Sequence, residues 1–282
     1  SLIDAVIDDG SCEFVEAIAR PLPQHVFLAM VGLPLEDADR FSEWTDHLIH
    51  GVPGDEAASV AVREAAGMAV YSYFAEVIDE RMEGDGLGDD LVSYLLRSSY
   101  DGERELSQFE VLDIVFLVLM AGLDTTKATL ADIVCYLAEH PDKRQQLVDD
   151  PALIPQAIEE LLRFESPVYP GRIVKQETEI GGIKMSPGDR VLLLLGSADR
   201  DVKEFGETAD QVDFLRPRNR HLAFGGGPHR CVGSHLARLE LTIALERINE
   251  RLKNYRIAPG GEVVRHLGNV AGVDYLPLVF EV

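Results

Sequence analysis

Between Ser107 and Pro141 the sequence offers few places to stop a helix. Ser107 and Glu110 form an S-x-x-E pattern, in which each side chain can cap the other residue's free backbone N–H at a helix start. The next strong stop is Pro141, so the helix can run to His140. At ~1.5 Å per residue such a helix is about 50 Å long. Its centre, Ile114 to Leu123, is apolar nearly all round, which predicts burial in a large helical core. The same stretch is too short to span a bilayer, which takes ~20 residues.

The rest of the chain fits around that rod. The first hundred residues read as several helices separated by turns such as Gly32-Leu33-Pro34 and the Gly/Asp-rich Gly84 to Asp90. His25, His47 and His50 read there as ordinary surface or core histidines. After the long helix come a short helix and then Ile154 to Phe164, closed by Ser166-Pro167. Arg172 to Thr178, Ile180 to Met185 and Arg190 to Leu195 read as short strands, joined by Gly181-Gly182 and Ser186-Pro187-Gly188. A turn-rich stretch, Asp199 to Arg220, precedes a glycine-rich loop and another helix, on which Leu241, Ala244, Leu245, Ile248 and Leu252 share one face. Glu262 to Val282 reads as a β hairpin. The expected fold is mainly α with a minor β-sheet region, and residues 1–282 read as a single domain with no internal boundary.

Composition narrows the function. There are 49 acidic against 26 basic residues, a formal net charge of −23, which argues against nucleic-acid binding because that needs a basic footprint. The three cysteines, Cys12, Cys135 and Cys231, are odd in number and include no C-x-x-C pair, so a disulfide framework is not expected and a reducing cytoplasm is the natural reading. The opening Ser1-Leu2-Ile3-Asp4 is no signal peptide, and neither secretion nor membrane insertion is expected. The absence of an initiator Met points to residues upstream.

Three segments could carry chemistry. The first is Phe224-Gly-Gly-Gly-Pro-His-Arg-Cys-Val-Gly233, a cysteine in a glycine-rich loop directly before a helix. Glycines let backbone approach a flat ligand, and the free N–H groups and positive dipole of a helix start stabilise a thiolate. Other readings compete here. Cys231 can be a small buried hydrophobe. The loop can cradle phosphate, although no Lys-Ser/Thr follows. His221, His229, Cys231 and His235 can be a zinc cluster, although their spacing fits no common pattern. The second segment, Ala121-Gly-Leu-Asp-Thr-Thr126, puts polar groups in the middle of an apolar helix. Asp124, Thr125 and Thr126 read as a proton relay beside a cofactor, or a threonine hydroxyl bonds back to a carbonyl one turn earlier. The third, Glu160-Leu-Leu-Arg163, is an i,i+3 pair that by itself reads as an ordinary surface contact.

Together, in this order, the three segments resemble the cytochrome P-450 family, with Phe224, Gly227, Cys231 and Gly233 in its F-x-x-G-x-x-x-C-x-G loop, residues 121–126 in its A-G-x-D-T-T signature, and Glu160 and Arg163 in its E-x-x-R pair. The likeness is greatest to soluble bacterial members, especially the camphor-hydroxylating type. It implies haem b (iron protoporphyrin IX) with Cys231 as the axial thiolate ligand, whose electron donation favours O–O cleavage. It also places Phe224 beside that ligand and Gly225, Gly227 and Gly233 against the haem within the Phe224–Gly233 loop, His229 and Arg172 on the haem propionates, and Asp124 and Thr125 in proton delivery for oxygen activation. Glu160 and Arg163 would lock the turn-rich segment onto the core. Leu117, Met120 and Ala121 precede Asp124 on the long helix, and Val168 and Val270 match pocket positions of the camphor-hydroxylating members; their apolar character suggests a small apolar substrate, with plain core packing as the competing reading.

The implied activity is insertion of one oxygen atom from O₂ into a C–H bond. Electrons would come from NAD(P)H only indirectly, through a ferredoxin reductase and an iron–sulfur ferredoxin. Arg230 and Arg238 flank the loop and could form part of a docking face for an acidic ferredoxin, or pair with haem carboxylates or local acids. Two alternatives are a peroxide-driven hydroxylase, against which Asp124-Thr125 argues, and a non-catalytic haem-binding fragment or sensor. There are departures from the family pattern. Gln211 lies in the region where an arginine usually completes a triad with the E-x-x-R pair. Pro170 replaces a polar residue near one propionate. The N-terminal portion of the fold, which supplies a further haem-binding residue, part of the partner face and the substrate lid, is expected to be missing.

Overall fold

The computed structural model describes residues 1–83 and 87–282. In chain order, β1 (Ser11–Glu13) is followed by α1 (Pro21–Val31), α2 (Ala38–Ile49), α3 (Glu56–Glu83) and α4 (Leu91–Leu96). Two short strands, β2 (Ser99–Tyr100) and β3 (Arg104–Glu105), lead into α5 (Gln108–Glu139), α6 (Pro141–Asp149) and α7 (Ile154–Glu165). Four strands come next: β4 (Gly171–Ile173), β5 (Thr178–Ile180), β6 (Ile183–Met185) and β7 (Arg190–Leu192). The short helices α8 (Leu195–Ala198) and α9 (Val202–Phe205) precede α10 (Ser234–Arg251). Four strands close the chain: β8 (Lys253–Ile257), β9 (Val264–His266), β10 (Gly272–Tyr275) and β11 (Pro277–Glu281). The fold is mainly helical with small antiparallel sheets, as the sequence predicts. The described residues group into two compact units, Arg20–Asp124 and Ser1–Ala19 with Thr125–Val282.

In the unit Arg20–Asp124, Phe27, Leu28, Val31, Phe41, Phe74 and Ile78 form a core with the first half of α5. Phe41 lies at its centre, with Phe27, Trp44, Tyr73 and Phe74 at ring-centroid distances of 5.2–5.8 Å. Gly32 ends α1 with φ 70°, and a Cβ there would lie 2.8 Å from the Asp90 Cβ, so the turn accepts only glycine. The other predicted turn, Gly84 to Asp90, lies partly outside the described residues; its last residue, Asp90, caps α4 by accepting from the Ser93 N–H at 3.0 Å.

α5 starts and stops where the sequence predicts. The Ser107 N–H donates to Glu110 Oε2 at 2.9 Å and the Glu110 N–H to Ser107 Oγ at 3.3 Å, a reciprocal capping box. The expectation of burial all round is corrected. Val111, Val115, Leu119 and Leu123, each four apart, face the core, whereas Asp113, Leu117 and Ala121, spaced likewise, lie on an uncovered face with Gly122. Leu117 is 62% exposed. From Thr126 to Ala138 every residue of the helix is buried.

In the other unit α7 and α10 pack together, and Leu241, Ala244, Leu245, Ile248 and Leu252 are all buried, as their spacing predicts. The small sheets follow the glycine turns. Gly181 and Gly182, at φ 59° and 80°, close the β5–β6 hairpin, and β4 pairs with β7. The predicted strand Arg172 to Thr178 breaks into β4 and β5, because each half pairs with a different partner. The predicted C-terminal hairpin is also reassigned: β9 pairs with β10, but β11 leaves it to lie between β1 and β8.

Candidate active site

The loop before α10 is built by its glycines. Gly225 and Gly227 have φ 65° and 60°. A Cβ on Gly225 would come within 3.0 Å of the His229 carbonyl oxygen, so the loop can turn only without one. The Cys231 N–H donates to the Phe224 oxygen at 2.8 Å and the Arg230 N–H to the Gly227 oxygen at 3.1 Å, which closes the loop on itself. Cys231 is exposed, three residues before α10 begins, and His229 beside it is exposed too. Cβ atoms on Gly226 or Gly227 would meet nothing within 4 Å, so the loop presents an open face.

The other two cysteines are different. Burial, with Glu13 next to it, pushes the Cys12 thiol up to about 12. Burial, with Glu139 adding to it, pushes Cys135 up to about 11. Both stay protonated thiols at neutral pH.

Two neighbouring glutamates on α7 hold the chain around this loop. Glu160 and Arg163 are buried, not a surface contact, and exchange two hydrogen bonds of 2.8 and 2.9 Å. Glu160 also accepts from the Arg216 Nε at 3.0 Å, from the Asp213 N–H at 2.9 Å and from Asn219 Nδ2 at 3.1 Å. Arg163 donates onward to the carbonyls of Asp199, Ala209 and Gln211 at 2.7–2.9 Å. The triad is therefore complete, and the expectation built on Gln211 is corrected. Arg216 is its third member, and Gln211 contributes a backbone oxygen to both arginines.

Glu159, one residue earlier, accepts two bonds from Arg238, at 2.6 and 2.9 Å, and one from His221 at 3.0 Å. Burial alone would raise its carboxyl, but these two partners outweigh it and hold it down at about 2. The Arg238 guanidinium lies over the Phe224 ring, 4.4 Å from its centroid. Arg238 is thus committed to a local acid and is not a free docking cation.

On α5, Asp124 is 2% exposed and its Oδ1 lies 3.3 Å from His50 Nε2. His50, at the end of α2, is a functional candidate that the sequence did not single out. It is 74 residues from Asp124, and no local pattern marks it. Thr125 is half-buried and Thr126 buried. The Thr129 hydroxyl donates one turn back, to the Thr125 carbonyl at 2.7 Å. A Cβ on Gly122 would meet nothing within 4 Å. Leu117, Ala121 and Gly122 thus form an open apolar face with Met120 partly buried beside it.

Val168 and Val270 face each other in an isolated antiparallel bridge, flanked by the Tyr169 N–H to Asn269 oxygen and Ala271 N–H to Pro167 oxygen bonds, both 2.8 Å. Arg172, on β4, is exposed, with one guanidinium N–H on its neighbour's carbonyl, that of Gly171, at 2.8 Å. Within the unit that holds the loop, an open glycine face, an exposed cysteine, and an exposed His and Arg for carboxylates suit a flat, iron-bearing ring with acidic substituents.

The sequence profile of the cytochrome P-450 family matches residues 64–270. The chain belongs to the cytochrome P-450 family. It is 37% identical over 283 residues to the steroid C26-monooxygenase of Mycobacterium tuberculosis, covering 99% of this chain and 75% of that protein. It is 36% identical over 261 residues to the mycinamicin IV hydroxylase/epoxidase of Micromonospora griseorubida, covering 91% of this chain and 64% of that one. Among solved structures, a Bacillus megaterium protein in complex with corticosterone superposes with a TM-score of 0.90 at 30% identity, covering 100% of this chain and 75% of that one. As a cytochrome P-450 the protein is an oxidoreductase of the monooxygenase type, with haem as its cofactor. Among the described residues no helix is long and apolar enough to cross a membrane.

Proposed function

We propose that this cytochrome P-450 inserts one oxygen atom from O₂ into a C–H bond of a small apolar organic molecule. Electrons come from NAD(P)H through a ferredoxin reductase and an iron–sulfur ferredoxin, in the cytoplasm. The observation that carries the reading is Cys231: it is the exposed cysteine, in a self-closed glycine loop, while burial keeps Cys12 and Cys135 protonated.

Haem b would be ligated by Cys231 and would supply the activation of dioxygen. The remaining work belongs to the chain. Gly225, Gly227 and Gly233 keep the loop free of side chains on its open face, and Phe224 packs beside the ligand. His229 and Arg172 would hold the haem propionates by charge-assisted hydrogen bonds. Asp124 passes protons inward from the partly exposed His50, and the Thr125 hydroxyl, which both donates and accepts, holds a water at the reacting centre. Leu117, Met120 and Ala121 in one unit, and Val168 and Val270 in the other, each offer carbon that would orient an apolar skeleton. The steroid and macrolide named for the relatives make rigid ring skeletons the first class to test.

The test is turnover of a panel of steroids and macrolides by the haem-loaded protein with NADH or NADPH, ferredoxin and ferredoxin reductase under ¹⁸O₂. One labelled oxygen atom per product, with no product when ferredoxin is omitted, is the expected outcome. Equal turnover with hydrogen peroxide in place of ferredoxin and O₂ would replace this reading by a peroxide-driven hydroxylase.

A further inference from the structure

The E-x-x-R network leaves Glu159 unused, although it lies next to Glu160 and points to different partners. Those partners sit on the two flanks of the Cys231 loop. His221 is three residues before Phe224, and Arg238 is seven residues after Cys231, in the second turn of α10. The His221 side chain is 4% exposed, whereas Glu159 and Arg238 are each about 30% exposed, so the carboxylate has a buried and a half-buried partner. Arg238 makes a two-pronged contact with it, the geometry that fixes a guanidinium plane most firmly. That plane rests on the Phe224 ring, and the His221 ring centroid is 6.0 Å from the same ring. Phe224 in turn accepts from the Cys231 N–H. A continuous physical path therefore runs from Glu159 through Arg238 and Phe224 to Cys231.

We propose that Glu159 is a positioning residue: it clasps both ends of the Cys231 loop, and by neutralising Arg238 it sets the net charge beside the thiolate. The proposal rests on the reading that Cys231 ligates haem iron. Two further facts support it. The bidentate hydrogen bond from Glu159 raises the Arg238 guanidinium above its ordinary value, so the arginine stays charged in the clasp. The clasp also shares no side chain with the Glu160–Arg163–Arg216 triad, so it can be altered separately.

The experiment compares the haem-loaded wild type with Glu159→Gln, Arg238→Gln and the double variant. Four quantities are read: melting temperature, the spectrum of the reduced carbon-monoxide complex, the rate of haem transfer to apomyoglobin, and the haem reduction potential. Each single variant is expected to release haem about ten- to a hundredfold faster, the usual scale for groups that orient a metal ligand. The potential rises in Glu159→Gln, which loses a negative charge, and falls in Arg238→Gln, which loses a positive one. The double variant returns toward the wild-type potential while still releasing haem quickly. Lower melting temperatures with unchanged potentials in both single variants would overturn the proposal, since the pair would then be only a structural brace. If Glu159→Gln accumulates no haem, Glu159→Asp keeps the charge and shortens the reach. It must release haem faster at an unchanged potential, and wild-type release would overturn the clasp. A wild type without the thiolate-type carbon-monoxide band would instead overturn the underlying ligand assignment.

Discussion

Replacing Glu160 by alanine strands charge in a place that water does not reach. Glu160 is 1% exposed and Arg163 is fully buried. In the native chain one carboxylate satisfies Arg163, Arg216, the Asp213 N–H and Asn219. Arg163 keeps three carbonyl partners after the change, which softens the loss, but carbonyl dipoles do not neutralise a full charge. Removing one member of a buried ion pair costs ~3–5 kcal/mol. Spread over 282 residues, that lowers the melting temperature by about 5–8 °C, from a typical unfolding entropy of ~2.1 cal/mol/K per residue. The assay is thermal unfolding followed by circular dichroism, with haem content measured on the same samples. The control is Arg247→Ala, which removes an exposed i,i+3 pair with Glu250 and has an expected cost of no more than ~1 kcal/mol. A Glu160→Ala protein that melts with the control and holds a full complement of haem would refute the reasoning.

Three further outcomes are expected. Arg216→Ala destabilises and loses haem, whereas Gln211→Ala does neither, because Gln211 contributes only its backbone oxygen; equal effects of the two would argue against Arg216 as the third member of the triad. Burial raises the Asp132 carboxyl to about 7, with Glu165 adding to it against the pull of Arg265. The folded state therefore holds this proton more tightly than the unfolded chain does. Its stabilising contribution is full below about pH 4 and is lost as pH rises through about 7, so Asp132→Asn flattens the fall in melting temperature over that window, and an unchanged profile would contradict the assignment. Thr125→Ala keeps haem and NAD(P)H consumption but yields less hydroxylated product and more hydrogen peroxide. Thr126→Ala, whose side chain is buried and about 100° further round the helix, is milder, and full coupling in Thr125→Ala would remove that residue from proton delivery.

Features written in short sequence spacing were legible before any coordinates. The Ser107/Glu110 cap, the end of α5 at Pro141, the Gly181-Gly182 turn and the buried face of α10 each depend on residues within about three helical turns of one another. The glycine loop around Cys231 was legible for the same reason. Partnerships across long stretches were not. Arg216 meets Glu160 across 56 residues, through turns whose course no periodicity describes, so the nearer landmark Gln211 stood in for it. His50 meets Asp124 across 74 residues, and nothing local distinguishes it from His25 or His47. The uncovered face of α5 was hidden by chemistry, because Leu117 and Ala121 are as apolar as the residues that pack into the core. Hydropathy says that a face avoids water; it does not say whether protein or a bound group will cover it. Arg238 posed a similar ambiguity of charge, which Glu159 resolves by a bidentate contact across 79 residues.

The central claim is that Cys231 is the thiolate ligand of a haem. The measurement that tests it most directly is the absorption spectrum of the reduced carbon-monoxide complex, recorded for the wild type and for alanine variants of Cys12, Cys135 and Cys231. The account predicts the red-shifted thiolate-type band in the wild type, Cys12→Ala and Cys135→Ala proteins, and its complete loss in Cys231→Ala. A normal thiolate band in Cys231→Ala would contradict it.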